Sequence, residues 1–206
     1  MNPYMLRYGL TGGIASGKST VAAMLREHGF AVLEADKISR ALIESGGGAY
    51  EEVIARFGRE IVDADGKINR GRLGAIVFHD PEKLKQLNGM LHPRVEAELL
   101  RRLQELEKSG TVAVAFVEAA LIFEAGLDKR LDGVVVAWCL PEQQLARLME
   151  RGMREAEARQ RIAAQMPVQE KLALAAEKID CSGSMEETRS QVDALAAKLR
   201  AAASAN

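Results

Sequence analysis

Between an entry at Tyr8-Gly9-Leu10-Thr11 and an amphipathic run that begins at Val21, the chain reads Gly12-Gly13-Ile14-Ala15-Ser16-Gly17-Lys18-Ser19-Thr20. This fits G-x-x-x-x-G-K-[ST], the phosphate-binding loop. It constrains the fold more than any other stretch, because the motif requires a strand before it and a helix after it. The glycines let the backbone turn so that successive N–H groups point inward at phosphate oxygens, and the following helix adds its positive end. Lys18 is placed to reach the β- and γ-phosphates, the Ser19 hydroxyl to ligate Mg²⁺, and Thr20 to make a second phosphate contact. A nucleoside triphosphate site is expected, with Gly13, Ala15, Ser16, Gly17, Lys18, Ser19 and Thr20 as its cradle.

The remainder must supply a sheet for that loop, and the composition permits one. With 206 residues, 48% of them hydrophobic, the chain can bury a core and falls in the range of one domain with inserted subdomains. Its 28 basic and 29 acidic residues nearly cancel, which argues against long-range attraction to nucleic acid or an anionic membrane. The start, Met1-Asn2-Pro3-Tyr4-Met5, lacks a charged segment followed by an apolar one. The apolar run 112–123 is broken by Glu118 and too short to span a bilayer, so a cytoplasmic protein is expected. Cys139 and Cys181 show no metal-ligand spacing and read as buried or incidental thiols.

Taken in order, the chain alternates strand and helix signals. Val21, Met24, Leu25 and His28 recur at helical spacing and Gly29 is a natural stop. Ala31-Val32-Leu33 is a short buried-strand signal ending in Glu34-Ala35-Asp36, ahead of a helical run through Ile38, Ala41 and Leu42. In doubly wound sheets ligands lie outside the carboxyl ends of the strands, so Asp36 is a candidate for the reaction centre; capping the next helix is the alternative. If residues 31–36 continue as an extended segment, Glu34 and Asp36 share one face. From Ser45-Gly46-Gly47-Gly48 to Ser109 the pattern is helical and more polar, with breaks at Gly58, Asp65-Gly66, Asp80-Pro81 and His92-Pro93, and reads as an insertion that could hold an acceptor. Asp63-Ala64-Asp65-Gly66 is expected to be a plain turn rather than a calcium loop.

Residues 111–117 and 134–138 are β-rich and look like central parallel strands. The first ends at Glu118, from which a carboxylate can hold Mg²⁺, with a structural cap or a substrate contact as the other readings. After Pro141, Arg147, Arg151 and Arg154 fall at i, i+4 and i+7, so three guanidinium groups face one way provided Gly152 does not break the helix. Such a face fits a lid that closes over phosphates; Glu150, Glu155 and Glu157 nearby fit a solvated, salt-bridged face instead. Helices through Ile162, Leu172 and Leu195 complete the chain.

These motifs in this order resemble the dephospho-coenzyme A kinases, whose loop typically reads L-T-G-G-I-G-S-G-K-S-T-V. Ala35-Asp36 with Ile38 and Arg40, then Phe57-Gly58, Asp65-Gly66, Arg70 with Leu73, Phe78, His92-Pro93, the segment 121–127, and Gln144, Arg147, Arg151, Arg161, Gln165 and Lys171 extend the likeness over nearly the whole chain. The sequence departs from the family pattern at Glu34 (for Asp), Ala120 (Pro), Ala176 (Asp) and Cys181 (Asn), the last two near the adenine end. The resemblance implies an α/β fold, a P-loop parallel sheet flanked by helices. Residues 5–44, 110–140 and 175–206 would form the nucleotide core, 45–109 a helical acceptor-binding subdomain, and 141–174 a lid and following helices. It implies transfer of phosphate from ATP, with Mg²⁺, to the ribose 3′-hydroxyl of dephospho-coenzyme A, by a monomer or small homo-oligomer. Asp36, Lys18, Arg147 and Arg151 become the catalytic candidates, and Ser19 and Glu118 the metal ligands. Another small-metabolite or nucleoside-monophosphate kinase would share the loop and lid but not the later series. A nucleotide-switch protein would need an acceptor base no more than it would need that series, and no Asn-Lys-x-Asp guanine motif is present.

Overall fold

The computed structural model describes residues 5–77 and 79–205; Phe78 and the first four residues of the start lie outside them. Five strands form one sheet in the order β2-β3-β1-β4-β5: β1 Leu6–Thr11, β2 Ala31–Glu34, β3 Val114–Glu118, β4 Gly133–Trp138 and β5 Glu177–Asp180. The pairings of β1 with β3 and β4, and of β4 with β5, are parallel. The expected strands are thus present, and β1, β3 and β4 are central. β5 was not signalled, because Glu177-Lys178-Ile179-Asp180 buries only its isoleucine.

Strand alternation divides β4 between two apolar layers. Val135 and Ala137 pack with Leu10, Phe116, Val21 and Leu25 of α1 (Lys18–Glu27), and Val192 and Leu199 of α9 (Met185–Ala205). Val134 and Val136 face the other way, onto Ile122, with Leu131, Trp138 and Leu172 against them. Trp138 is therefore a packing residue.

The chain divides into two compact units. The first holds Leu33 and the described residues before it, with Leu103 and those after it, hence nearly all of the sheet. The second is Glu34–Arg102, which carries α2 Ala35–Leu42, α3 Tyr50–Phe57, α4 Arg70–Val77 and most of α5 Pro81–Ser109. Its own core gathers Val53, Phe57, Ile61, Leu73, Val77 and Leu91. Residues 63–66 make a turn closed by the Val62–Ile68 bridge, with Gly66 N–H donating to the Asp63 carbonyl at 2.9 Å. Two expected breaks behave differently. Asp80-Pro81 starts α5: the Asp80 carboxylate accepts from the N–H groups of Glu82 and Lys83 at 3.0 and 3.2 Å, with proline in the first turn where its missing N–H costs nothing. His92-Pro93 is no break, since α5 runs through Pro93. The proline removes the donor that the Gly89 carbonyl would have received and crowds that carbonyl with its ring, yet the helix continues.

Beyond residue 140 the order is α6 Pro141–Glu150, α7 Glu155–Ala163 and α8 Val168–Leu174. Gly152, at φ 85, separates α6 from α7, so the three arginines do not line one helix. Arg147 lies within α6, Arg151 caps its C-terminus and Arg154 caps the start of α7. On α7, Arg159 and Arg161 pair with Glu155 and Glu157 at 2.7 and 2.8 Å, so these acids serve arginines other than Arg147, Arg151 and Arg154. No helix among the described residues is long and apolar enough to cross a membrane.

Candidate active site

The central strand β1 delivers the chain into the loop, and α1 receives it. β1 has β3 on one side and β4 on the other, which opens the crevice at the carboxyl ends where α/β sheets place their ligands. Gly17, left-handed at φ 100, is the N-cap of α1 and offers no side-chain acceptor, so the helix N–H groups stay open. Thr20 and Val21 N–H both donate to the Gly17 carbonyl, at 3.0 and 3.1 Å, and Ser16 N–H to that of Gly13 at 3.2 Å. Among the described residues, the N–H groups of Ala15, Gly17, Lys18 and Ser19 donate to no protein acceptor. The Ser16 hydroxyl is buried and likewise without a partner. Four N–H donors and an orphaned hydroxyl at a helix N-terminus fit a phosphate group.

The charged groups at this end of the sheet come from β3 and α1. Register pairs Leu10 with Glu118, which puts the Glu118 carboxylate beside the loop. Glu118 accepts from Lys18 Nζ at 3.0 Å, and the same oxygen is 3.5 Å from Ser19 Oγ. Both members of the ion pair are largely buried, and Arg26 lies 3.9 Å from the other carboxylate oxygen. Lys18, Ser19 and Glu118 are therefore brought together. A carboxylate and a hydroxyl side by side match the sparse protein donor set of Mg²⁺, which keeps waters and phosphates as its other ligands.

A second set of side chains holds the loop from outside. Gln144 Nε2 of α6 donates to the Ile14 carbonyl at 2.8 Å, and Gln165 Oε1 accepts from Ile14 N–H at 2.7 Å. Arg147 donates to the Ala15 carbonyl at 3.2 Å and to the Cys181 carbonyl at 2.8 Å, so its guanidinium is engaged with backbone. Ala15 itself has φ 59, the one non-glycine residue with positive φ among those described. The Cys139 thiol approaches the Ala15 carbonyl at 3.8 Å, and a Cβ on Gly17 would sit 2.8 Å from Cys181 Sγ. Burial raises the Cys139 thiol above its ordinary value and pushes Cys181 up to about 11. Lys171 is fully buried on α8, donating to the Ala120 carbonyl at 2.7 Å and pairing with Glu124 at 2.8 Å. Of these supports helical spacing marked Arg147; Gln144, Gln165 and Lys171 carry no signal of composition or periodicity, and only the family resemblance marked them, without a role.

Asp36 belongs to the second unit. Strand β2 stops at Glu34, which occupies the N-cap of α2 without a side-chain cap bond, and Asp36 stands exposed in the first helical turn. It is not the cap, and the extended segment that would set Glu34 and Asp36 on one face does not form. The Glu34 carboxylate pairs with Lys37 at 2.9 Å. Arg151 is exposed at the end of α6, with no ion pair among the described residues.

Comparison with known proteins meets this geometry. The family model described as dephospho-CoA kinase matches residues 6–187. A dephospho-CoA kinase of Geobacillus kaustophilus is 47% identical over 191 residues, covering 92% of this chain and 94% of that one. A protein of Thermus thermophilus of known crystal structure superposes with a TM-score of 0.80 at 36% identity, covering 95% of this chain and 98% of that one. For the dephospho-CoA kinase from Campylobacter jejuni the TM-score is 0.65 at 28% identity, with 94% and 96% covered. A phosphate-binding loop on a parallel sheet, matched almost end to end at this identity, places the chain in the dephospho-CoA kinase family of P-loop kinases.

Proposed function

We propose that this protein transfers the γ-phosphoryl group of ATP to the ribose 3′-hydroxyl of dephospho-coenzyme A, giving coenzyme A and ADP. The observation that carries the reading is the cluster of unpaired N–H groups at Ala15, Gly17, Lys18 and Ser19, in a chain whose relatives bear that name. Those donors would cradle the phosphates, and Lys18 would leave Glu118 for the β- and γ-phosphate oxygens, where its charge offsets the charge that spreads during transfer. Ser19 and Glu118 would hold Mg²⁺, which supplies charge neutralisation along the triphosphate. Asp36, exposed at the start of α2, would orient or deprotonate the attacking hydroxyl. Residues 45–109 would bind the acceptor, and 141–174 would act as the lid, with Arg151 as its free guanidinium. Arg147 is better suited to holding the loop in shape, because both of its bonds go to backbone carbonyls.

A coupled assay for ADP with ATP, Mg²⁺ and dephospho-coenzyme A tests this directly: ADP release should require the acceptor. Lys18→Ala should abolish turnover while the protein still folds, at a lowered melting temperature because Glu118 loses its buried partner. Near-normal turnover in that variant would remove the phosphate-loop assignment.

A further inference from the structure

Ile14 is the only residue of the phosphate loop, among the described residues, whose backbone N–H and carbonyl are both bonded by side chains. Its carbonyl receives Gln144 Nε2 at 2.8 Å and its N–H donates to Gln165 Oε1 at 2.7 Å. Neither glutamine is free to wander. Gln144 is buried on α6 at 5% exposure. Gln165 lies beyond α7, and its neighbour Met166 donates its N–H to Glu124 Oε1 at 3.1 Å. Glu124 is in turn paired with the fully buried Lys171, so an ion pair anchored on a buried lysine fixes the backbone from which Gln165 reaches.

On the reading of this loop as the nucleotide site, we infer that Gln144 and Gln165 are positioning residues that clamp the two peptides flanking Ile14 and so preset the phosphate cradle. The physical reason lies in peptide geometry. Each peptide is planar, so a hydrogen bond at the Ile14 N–H restrains the Gly13–Ile14 plane and one at the Ile14 carbonyl restrains the Ile14–Ala15 plane. The second of these planes carries the Ala15 N–H, antiparallel to the carbonyl that Gln144 holds, and that N–H is among the unpaired donors. Holding both planes fixes the direction of the Ala15 N–H before any phosphate arrives, which removes an ordering cost from nucleotide binding. Gly13 fits the same device: a Cβ there would lie 2.5 Å from Gln144 Nε2.

The test compares ADP affinity by calorimetry, KM for ATP and for the acceptor, and melting temperature in the wild type and four variants. Gln144→Met and Gln165→Met keep side-chain length and remove the hydrogen bond; each should weaken ADP about five- to tenfold, with acceptor KM held within about twofold. The glutamates separate donor–acceptor pattern from charge. Gln144→Glu turns a donor into an acceptor facing the Ile14 carbonyl and should weaken ADP by at least about tenfold more than Gln144→Met. Gln165→Glu adds the same charge yet still accepts from Ile14 N–H, and should bind no worse than Gln165→Met. A residue that merely packs would lower the melting temperature without this ordering. ADP binding within about twofold of wild type in both methionine variants, equal losses in the two glutamates, or tighter binding in Gln165→Met would each overturn the clamp. Should Gln144 variants fail to fold, the Gln165 pair alone decides it. A wild-type protein that binds no ADP would overturn the nucleotide reading itself, an outcome distinct from failure of the clamp alone.

Discussion

Ala15 stands where the family pattern has glycine, and it takes the left-handed backbone that glycine adopts freely, at φ 59. For a residue with a Cβ that conformation costs about 1–2 kcal/mol, because Cβ crowds the next carbonyl oxygen. Here it persists because the surroundings hold it: the Ala15 carbonyl accepts from Arg147 at 3.2 Å, with the Cys139 thiol at 3.8 Å. Ala15→Gly removes the native-state strain. It also frees the unfolded chain, which offsets about 0.4–1 kcal/mol of the gain. The balance favours the variant by roughly 1 kcal/mol, which for a chain of this length raises the melting temperature by about 2–4 °C. Ala15→Val moves the other way, since a β-branched residue with positive φ is a steric outlier, and a fall of at least about 2 °C is expected. Scanning calorimetry measures both, and the shift should appear in the transition of the unit that carries the loop. ATP KM should stay within about threefold in Ala15→Gly, because the donors of the cradle are backbone groups common to both residues. A lower melting temperature for Ala15→Gly, or equal tolerance of glycine and valine, would refute the left-handed assignment and the strain argued from it.

Other outcomes follow from the same geometry. Arg147→Ala should weaken ADP by about tenfold or more and lower the melting temperature, since two charged hydrogen bonds to backbone are lost, whereas Arg151→Ala should lower kcat at unchanged melting temperature. An Arg147 variant altered in kcat alone would return that residue to the transition state. Asp36→Asn should lower turnover roughly 10²–10⁴-fold with nucleotide affinity little changed, while Glu34→Asp is tolerated and Glu34→Gln costs much less. Turnover of Asp36→Asn above about a tenth of wild type, with Glu34→Gln dead, would reverse their roles. Ellman's reagent should titrate Cys139 and Cys181 only after unfolding, because both thiols are buried with raised pKa values. Cys181 also sets an alkaline limit: from about pH 8.5 the unfolded thiol ionises while the folded one, at about 11, keeps its proton. Stability present below that range is thus lost as pH rises through it, urea midpoints should fall from about pH 8.5 toward 11, and Cys181→Ala should flatten the decline.

What the sequence made legible was local. The loop, the strands β1, β3 and β4 and the acid at the end of β3 are each written in consecutive residues, because strand burial and turn chemistry act over a few positions. What it hid depends on partners far along the chain. Gln144 and Gln165 meet Ile14 across 130 and 151 residues, and they bind its backbone, so no side chain at position 14 announces them. Lys171 looks like any surface lysine of a polar helix, yet it is fully buried on Glu124 and a carbonyl. Arg147 and Arg151 read alike at helical spacing and part company only because one reaches the loop and the other ends the helix before Gly152. The glycines teach the same lesson within the motif. The sequence assigns all of them to turning the chain, and Gly17 at φ 100 does so. Gly13 does not have a positive φ; it is small because Gln144 Nε2 would lie 2.5 Å from its Cβ, and the left-handed turn falls instead on Ala15. A glycine motif therefore records two demands, backbone freedom and room for a neighbour, and only the side chains that come from elsewhere in the fold tell which position answers to which.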